Sequence, residues 1–135
     1  KPKLFFIQAC QGEKRQHPVN VEVDARPHDS YSTQQSVSLY DSIPEDADFL
    51  LGLSTVDGCV SFRHIQQGSW YTQALCRNLE LLVPRGEDIL AILTEVNKDV
   101  ASRVNNNGEK QMAQPAYTLR GKVIFPKPPP SKQHQ

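Results

Sequence analysis

The chain has 135 residues, the size of one ordinary domain, and its 15 Lys and Arg balance its 15 Asp and Glu. A chain without net charge has no overall field that draws it to nucleic acid or to an anionic membrane. No apolar run approaches the roughly 18 residues that cross a bilayer. The three cysteines show no paired spacing, which argues against a disulfide framework and predicts a cytoplasmic location.

The first predicted element is an apolar strand at Leu4–Ile7. Its side chains do not alternate in polarity, a pattern typical of a strand that is covered on both faces. Such a strand needs neighbours, and some of them would have to precede Lys1, so we expect the chain to be part of a longer protein. The strand leads into Cys10 and Gly12, where α/β proteins place functional groups.

A polar stretch follows the cysteine, from Glu13 to about Asp46. It keeps no apolar period, which predicts a linker. A second buried strand is predicted at 48–54, closed by a turn at Asp57-Gly58. A short extended piece, 60–64, comes next.

Two amphipathic helices are predicted after this piece. Ser69 is a suitable N-cap, and the apolar spacing continues until Pro84, so the first helix spans about 69–83. The second begins after Gly86 with acidic residues in its first turn and ends near Ser102.

The last predicted strand is 117–125, where apolar and polar residues alternate. The Pro-rich tail, 126–135, is expected to be extended and disordered. Strand, linker, strand, two helices and strand together predict an α/β fold whose sheet is incomplete. The predicted units are 1–24, a linker at 25–46, a second segment at 47–125, and the tail.

The thiol of Cys10 could be core filler, a metal ligand or a nucleophile. A nucleophilic thiol needs a base or a nearby positive charge, because a free thiol is mostly protonated at neutral pH. Cys59 and Cys76 are interpreted as a loop thiol and a helix core residue. No spacing of Cys and His indicates zinc, and we predict neither a metal site nor a cofactor.

The segment Gln8-Ala9-Cys10-Gln11-Gly12 satisfies the Gln-Ala-Cys-[Arg/Gln/Gly]-Gly signature of caspases. Further segments continue the resemblance: FLLGLSTV, VSFRH, GSWYTQALC, PRGEDILAILTEVN and KQMAQPAYTLRGKVIFP. The chain resembles the end of the large subunit and nearly all of the small subunit of an initiator caspase of the death-receptor pathway. The resemblance implies a three-layer caspase-like sandwich.

The resemblance also implies the reaction, which is cleavage of extended peptides after Asp through a thioester, to activate downstream caspases in apoptosis. Cys10 becomes the nucleophile. The implied substrate-binding residues are Gln8 and Arg63 for the P1 aspartate, Val60, Ser61 and Phe62 along the peptide, and Trp70 over the P4 side chain. From the residues alone, Arg63 could equally be a surface ion-pair partner, and Phe62 and Trp70 could be core.

None of the four histidines, His17, His28, His64 and His134, precedes Cys10. The resemblance places the catalytic base, with a second P1 arginine, upstream of this chain. We therefore predict that the chain alone is inactive. The alternative function is a catalytically silent caspase-like regulator that forms heterodimers with active caspases.

The linker contains two candidate processing sites, Asp24 and Asp41. Cleavage there would separate the large and small subunits. The expected partners are the rest of the large subunit and a second protomer, the same chain or a related caspase, paired through strand 117–125. No nucleic acid partner and no membrane span are expected.

Overall fold

A computed structural model describes residues 1–20, 42–127 and 129. Asp24, Asp41 and most of the predicted linker lie outside these residues. The described part contains β1 (Lys3–Ile7), β2 (Phe49–Leu53), β3 (Arg63–His64), β4 (Gly68–Ser69), α1 (Trp70–Leu82), α2 (Ile89–Ser102) and β5 (Gln114–Tyr117).

The main sheet has the order β1-β2-β5. β1 and β2 run parallel in the register Lys3↔Phe49 to Ile7↔Leu53, so both strands end at the same edge of the sheet. β5 is antiparallel to β2. This mixed arrangement of strands and helices confirms the predicted α/β fold with an incomplete central sheet.

The predicted last strand at 117–125 is wrong, because β5 ends at Tyr117. Beyond it the chain turns onto Asp48, which accepts hydrogen bonds from the backbone N–H and the guanidinium of Arg120. This guanidinium lowers the pKa of the Asp48 carboxyl. The apolar positions of the alternating pattern, Leu119, Val123 and Phe125, pack against the helix core instead of forming a strand face.

Both helices are confirmed to within about two residues at each end, and both have side-chain N-caps. Ser69 Oγ accepts the N–H of Thr72 at 3.0 Å. Asp88 Oδ2 accepts the N–H of Leu90 at 3.0 Å, so Asp88 caps α2 rather than lying in its first turn. Such caps satisfy backbone donors that have no partner inside the helix. The core between helices and sheet contains Leu50, Tyr71, Ala74, Leu75, Ile89, Leu93, Val96, Val100 and Ala113.

The interpretation of Cys76 as a core residue is wrong, because it is exposed. The buried face of α1 carries Tyr71, Ala74, Leu75 and Asn78, and position 76 falls on the opposite side of the helix.

Burial raises the pKa of Tyr71 to about 12.

The expectation that β1 is covered on both faces is wrong for this chain. Phe5 is 49% exposed and Ile7 is 42% exposed, because no described element packs over their face of the sheet. Within the described residues β1 is also an edge strand. The helices cover only one face of the sheet. The opposite face, which we call the open sheet face, is formed by Phe5, Ile7, Phe49, Leu51 and Leu53.

Candidate active site

Cys10 lies three residues beyond β1, at the edge where the two parallel strands end, and its thiol is exposed. Ser61 flanks the sulfur on the second segment. The backbone N–H of Ser61 donates to Cys10 Sγ at 3.3 Å, and Sγ lies 3.7 Å from the Ser61 carbonyl oxygen. The sulfur is therefore held beside the segment that leads into Arg63.

Two side chains fasten the strand that carries the cysteine to its neighbour. Gln8 Nε2 donates to Ser61 Oγ at 2.7 Å. Ser54, just past β2, donates its hydroxyl to the Ala9 carbonyl at 3.0 Å and accepts the Ala9 N–H at 3.2 Å. Ser54 is 1% exposed, so these bonds form in a buried environment and fix the backbone immediately before Cys10.

The backbone after Cys10 packs directly on the turn at Asp57-Gly58. Gln11 and Lys14 donate their N–H groups to the carbonyls of Cys59 and Gly58, at 2.9 and 3.0 Å. A Cβ on Gly12 would lie 2.3 Å from the Gly58 carbonyl oxygen. Only glycine fits this close approach of two backbones.

The chain remains bound to the second segment as far as Gln16, although the polar composition predicted a linker from Glu13. Lys110 donates its N–H to the Gln16 carbonyl at 2.9 Å. Arg15 pairs with Glu109 at 2.9 Å. Hydrogen bonds from Asn105 and then from Arg15 lower the pKa of the Glu109 carboxyl. These contacts escaped prediction because their partners lie more than 90 residues away.

Phe62 and Trp70 lie together beside the hairpin formed by β3 and β4. Their ring centroids are 4.9 Å apart at an interplanar angle of 45°. The backbone N–H of Trp70 donates to the Phe62 carbonyl at 3.2 Å. A surface pocket of about 370 Å³ is lined by Phe62, Arg63, His64, Trp70, Val104, Asn105 and Asn106.

Arg63 lies on β3 and is exposed. Its guanidinium makes no hydrogen bond or ion pair with any residue that the structure describes. By contrast, Arg15, Arg77 and Arg120 are each paired with a carboxylate. Among the described residues, Arg63 is thus available to an anionic ligand, and it lines the surface pocket beside Phe62 and Trp70.

His64 does not contact Cys10. Its Nδ1 accepts the backbone N–H groups of Gln66 and Gln67, both at 3.3 Å, so the ring stabilises the hairpin turn. The hydrogen bonds of Cys10 Sγ in the described ranges involve Ser61 alone. Among the described residues, His64 therefore has a role in the hairpin turn and no contact with the sulfur.

Sequence reasoning missed two buried polar residues at this site, Ser54 and Gln111. Ser54 follows the end of a strand parallel to β1, and this position was a usable signal for a residue near Cys10. Gln111 is 2% exposed and lies outside every strand and helix. No periodic pattern or motif indicates its position.

The described ranges contain no group of three or more His, Cys, Asp or Glu residues that could hold a metal ion. They also contain no helix long and apolar enough to span a membrane. The fold and the site define an α/β protein with an accessible thiol at the carboxyl edge of its sheet, beside an unpaired arginine and an aromatic pair.

Comparisons with known proteins identify the family. The model of the caspase domain matches residues 1–124, and the chain belongs to the caspase family. The chain is 50% identical to rat (Rattus norvegicus) caspase-8 over 128 residues, covering 93% of this chain and 27% of that protein. It is 46% identical to human (Homo sapiens) caspase-10 over 129 residues, covering 96% of this chain and 23% of that protein.

The fold matches a solved structure as well. Caspase-1 from Spodoptera frugiperda superposes with a TM-score of 0.76 at 34% identity, covering 100% of this chain and 49% of that one. The sequence segments had indicated a caspase-10-like chain close to caspase-8, and the likeness to this pair of initiator caspases is confirmed. The chain spans about a quarter of the length of these curated relatives.

Proposed function

We propose that this chain is the carboxyl-terminal part of the protease domain of an initiator caspase, a cysteine endopeptidase that cleaves after Asp. The observation that carries the proposal is the position of the Cys10 sulfur, 3.3 Å from the backbone N–H of Ser61. Ser61 lies two residues before Arg63, which is unpaired among the described residues. Membership of the caspase family supports it.

In the proposed reaction, Cys10 attacks the main-chain carbonyl carbon of the substrate aspartate. The thiol proton passes to a histidine supplied by the preceding part of the domain, and then to the leaving amine as the C–N bond breaks. A thioester remains on the enzyme. Water then gives one proton to the histidine and forms the new C–O bond; the C–S bond breaks, and that proton passes to the sulfur.

The proposed P1 pocket contains Gln8 and Arg63. A guanidinium can hold a carboxylate with two charge-assisted hydrogen bonds. Arg63 is exposed here, so its desolvation must come from the substrate and from the part of the domain that precedes this chain. An uncharged P1 side chain would then leave the arginine charge unpaired, which gives selectivity for Asp.

Phe62 and Trp70 are proposed to form the apolar walls for the P2 and P4 side chains, with Val60 continuing the P2 wall. Their mutual contact at 4.9 Å leaves their outer faces toward the pocket beside Arg63. The backbone of Ser61 is the proposed partner of the substrate peptide. Its N–H and carbonyl already lie within reach of the sulfur that attacks.

The partner for the open sheet face is proposed to be the rest of the large subunit of the same precursor. This apolar surface and the free edge of β1 are what further strands and helices of a caspase domain would cover. The predicted pairing of a second protomer through strand 117–125 lacks that strand, so the pairing is proposed instead at β5 (Gln114–Tyr117), the other edge of the sheet among the described residues. The free cysteines among the described residues agree with a cytoplasmic location.

The function is tested in a complete caspase domain that carries this chain at its carboxyl end. We expect hydrolysis of an Asp-ending peptide, and we expect Cys10→Ser to reduce it to background because the hydroxyl is a far weaker nucleophile. Cys76→Ser, an exposed thiol on α1, is the matched control and should retain full activity. Equal activity of the Cys10→Ser protein would refute the assignment.

Two further arms use the same assay. The 135-residue chain alone should give no turnover, because the proposed base is absent from it. Dilution of the complete domain should reduce the activity per chain if a dimer is the active form. An inert complete domain would instead favour the silent regulator.

The processing sites are tested by Asp24→Ala in the complete precursor. Val21-Glu22-Val23-Asp24 ends in the residue that such a protease requires and has an acidic residue two positions earlier. We expect cleavage to move to Asp41 or to cease, as measured by the masses of the fragments. Unchanged fragment masses would exclude Asp24.

A further inference from the structure

Gln111 is the most connected buried polar side chain next to the candidate active site. It is 2% exposed. Its Nε2 donates to the Ser54 carbonyl at 2.6 Å and lies 3.2 Å from Ser61 Oγ, while its Oε1 accepts the Phe62 N–H at 2.7 Å. One amide thus joins Ser54, the residue that bonds the Ala9 backbone, to the Ser61–Phe62 stretch beside the sulfur.

The first contact reaches the nucleophile through Ser54. The carbonyl of Ser54 accepts from Gln111, and the hydroxyl of the same residue bonds both backbone groups of Ala9. Ala9 immediately precedes Cys10. A shift of Ser54 would therefore move the backbone that carries the sulfur.

The other two contacts hold the substrate-facing segment. The Phe62 N–H donates to Gln111 Oε1. Ser61 Oγ accepts from both Gln111 Nε2 and Gln8 Nε2. The backbone of Ser61 also flanks Cys10 Sγ. Gln111 therefore fixes the distance between the sulfur and the segment that ends in Arg63.

A glutamine side chain can make all three of these hydrogen bonds, and few other side chains can. A carboxamide offers two hydrogens and one carbonyl oxygen, and here the hydrogens serve Ser54 and Ser61 while the oxygen serves Phe62. Methionine matches the shape but supplies none of the three contacts. Glutamate keeps the acceptor for Phe62 but places an oxygen against the Ser54 carbonyl.

We propose that Gln111 is a positioning residue, which sets the register between the Cys10 backbone and the Ser61–Arg63 segment through its three hydrogen bonds. The proposal rests on the proposed protease function. It assigns to Gln111 no contact with substrate. A displacement of about 1 Å between reacting groups can cost on the order of 10²-fold in rate.

The test compares Gln111→Met with Asn78→Leu in the complete caspase domain. Asn78 is the matched control because it is 5% exposed and its amide bonds Ala74 and Asp99, away from Cys10. We expect both changes to lower the unfolding temperature. We expect only Gln111→Met to lower kcat for an Asp-ending peptide, by at least tenfold, measured well below that temperature and with a smaller change in KM.

A second measurement does not depend on protease activity. The rate of alkylation of Cys10 by iodoacetamide is compared with that of Cys76, a second exposed thiol in the same molecule. The Ser61 N–H holds Cys10 Sγ at 3.3 Å in an exposed position, so the rate at which the reagent reaches the sulfur depends on where this backbone lies. We expect the Cys10 to Cys76 rate ratio to fall at least threefold in Gln111→Met and to stay constant in Asn78→Leu.

These readouts separate the two proposals. If the unmodified domain cleaves no Asp peptide, the protease function fails, and the alkylation ratio still decides the role of Gln111. If both kcat and the ratio are unchanged in Gln111→Met, the positioning role is refuted. Should Gln111→Met fail to fold, Gln111→Glu serves in its place, with the same expected losses and the same refuting result.

Discussion

Arg63→Gln in the complete caspase domain is expected to lower kcat/KM for an Asp-ending peptide by about 10²- to 4 × 10³-fold. The estimate follows from the cost of removing one partner of a desolvated ion pair, about 3–5 kcal/mol, at about 1.4 kcal/mol for each tenfold change. The loss falls on the P1 carboxylate alone. Discrimination between Asp-ending and Asn-ending peptides should therefore fall by a similar factor.

Arg85→Gln is the matched control for Arg63→Gln. Arg85 follows α1 and is also exposed, and its side chain makes no hydrogen bond or ion pair with the described residues. Its substitution removes the same charge far from the hairpin, so kcat/KM should stay within about twofold, because surface changes away from a site usually have small effects. Equal losses for the two variants would show that Arg63 acts only through net charge.

The second large effect is expected for Gly12→Ala. The added Cβ would meet the carbonyl oxygen, the carbonyl carbon and the Cα of Gly58 at 2.3, 2.5 and 2.7 Å. These are backbone atoms, so no rotamer change relieves the clash. The two segments must separate, which breaks the hydrogen bonds between Gln11 and Cys59 and between Lys14 and Gly58.

The expected cost of Gly12→Ala is about 1–3 kcal/mol of unfolding free energy, the usual range for overpacking, together with loss of activity because Cys10 moves with the strand. Urea unfolding and peptide hydrolysis measure the two effects. Gly121→Ala is the control, since its Cβ would meet no atom within 4 Å. Similar stability of the Gly12→Ala and Gly121→Ala proteins would contradict the close approach.

Local patterns were sufficient to predict β1, β2 and the two helices. Ser69 as a cap and the apolar spacing of the helices depend on neighbours within a few residues, and the structure reproduces both. The strand at 117–125 failed because alternation reports one-sided burial without saying what covers that side. In the structure, Val123 packs against the hydrophobic core cluster although it does not lie in a strand.

The site was predictable only in part, for the same physical reason. The motif around Cys10 and the resemblance in sequence were sufficient to name the candidate nucleophile and the candidate substrate-binding residues. They could not show that Ser61 flanks the sulfur or that Gln111 bonds the backbone of Phe62, because these contacts connect positions about 50 residues apart. The exposure of Arg63 was equally hidden, since it depends on what lies opposite the hairpin.

The contacts that hold the chain to the second segment as far as Gln16 have a consequence for the proposed cleavage at Asp24. From Gln16 the chain runs only eight further residues to Asp24. A cut there would leave the new carboxyl terminus eight residues beyond the last of these contacts. The two pieces would still be joined by the pairing of β1 with β2, the backbone hydrogen bonds at Gly58 and the Arg15–Glu109 ion pair. Peptide-bond cleavage would then change the covalent structure without dissociating the fragment that bears the thiol from the fragment that bears the arginine.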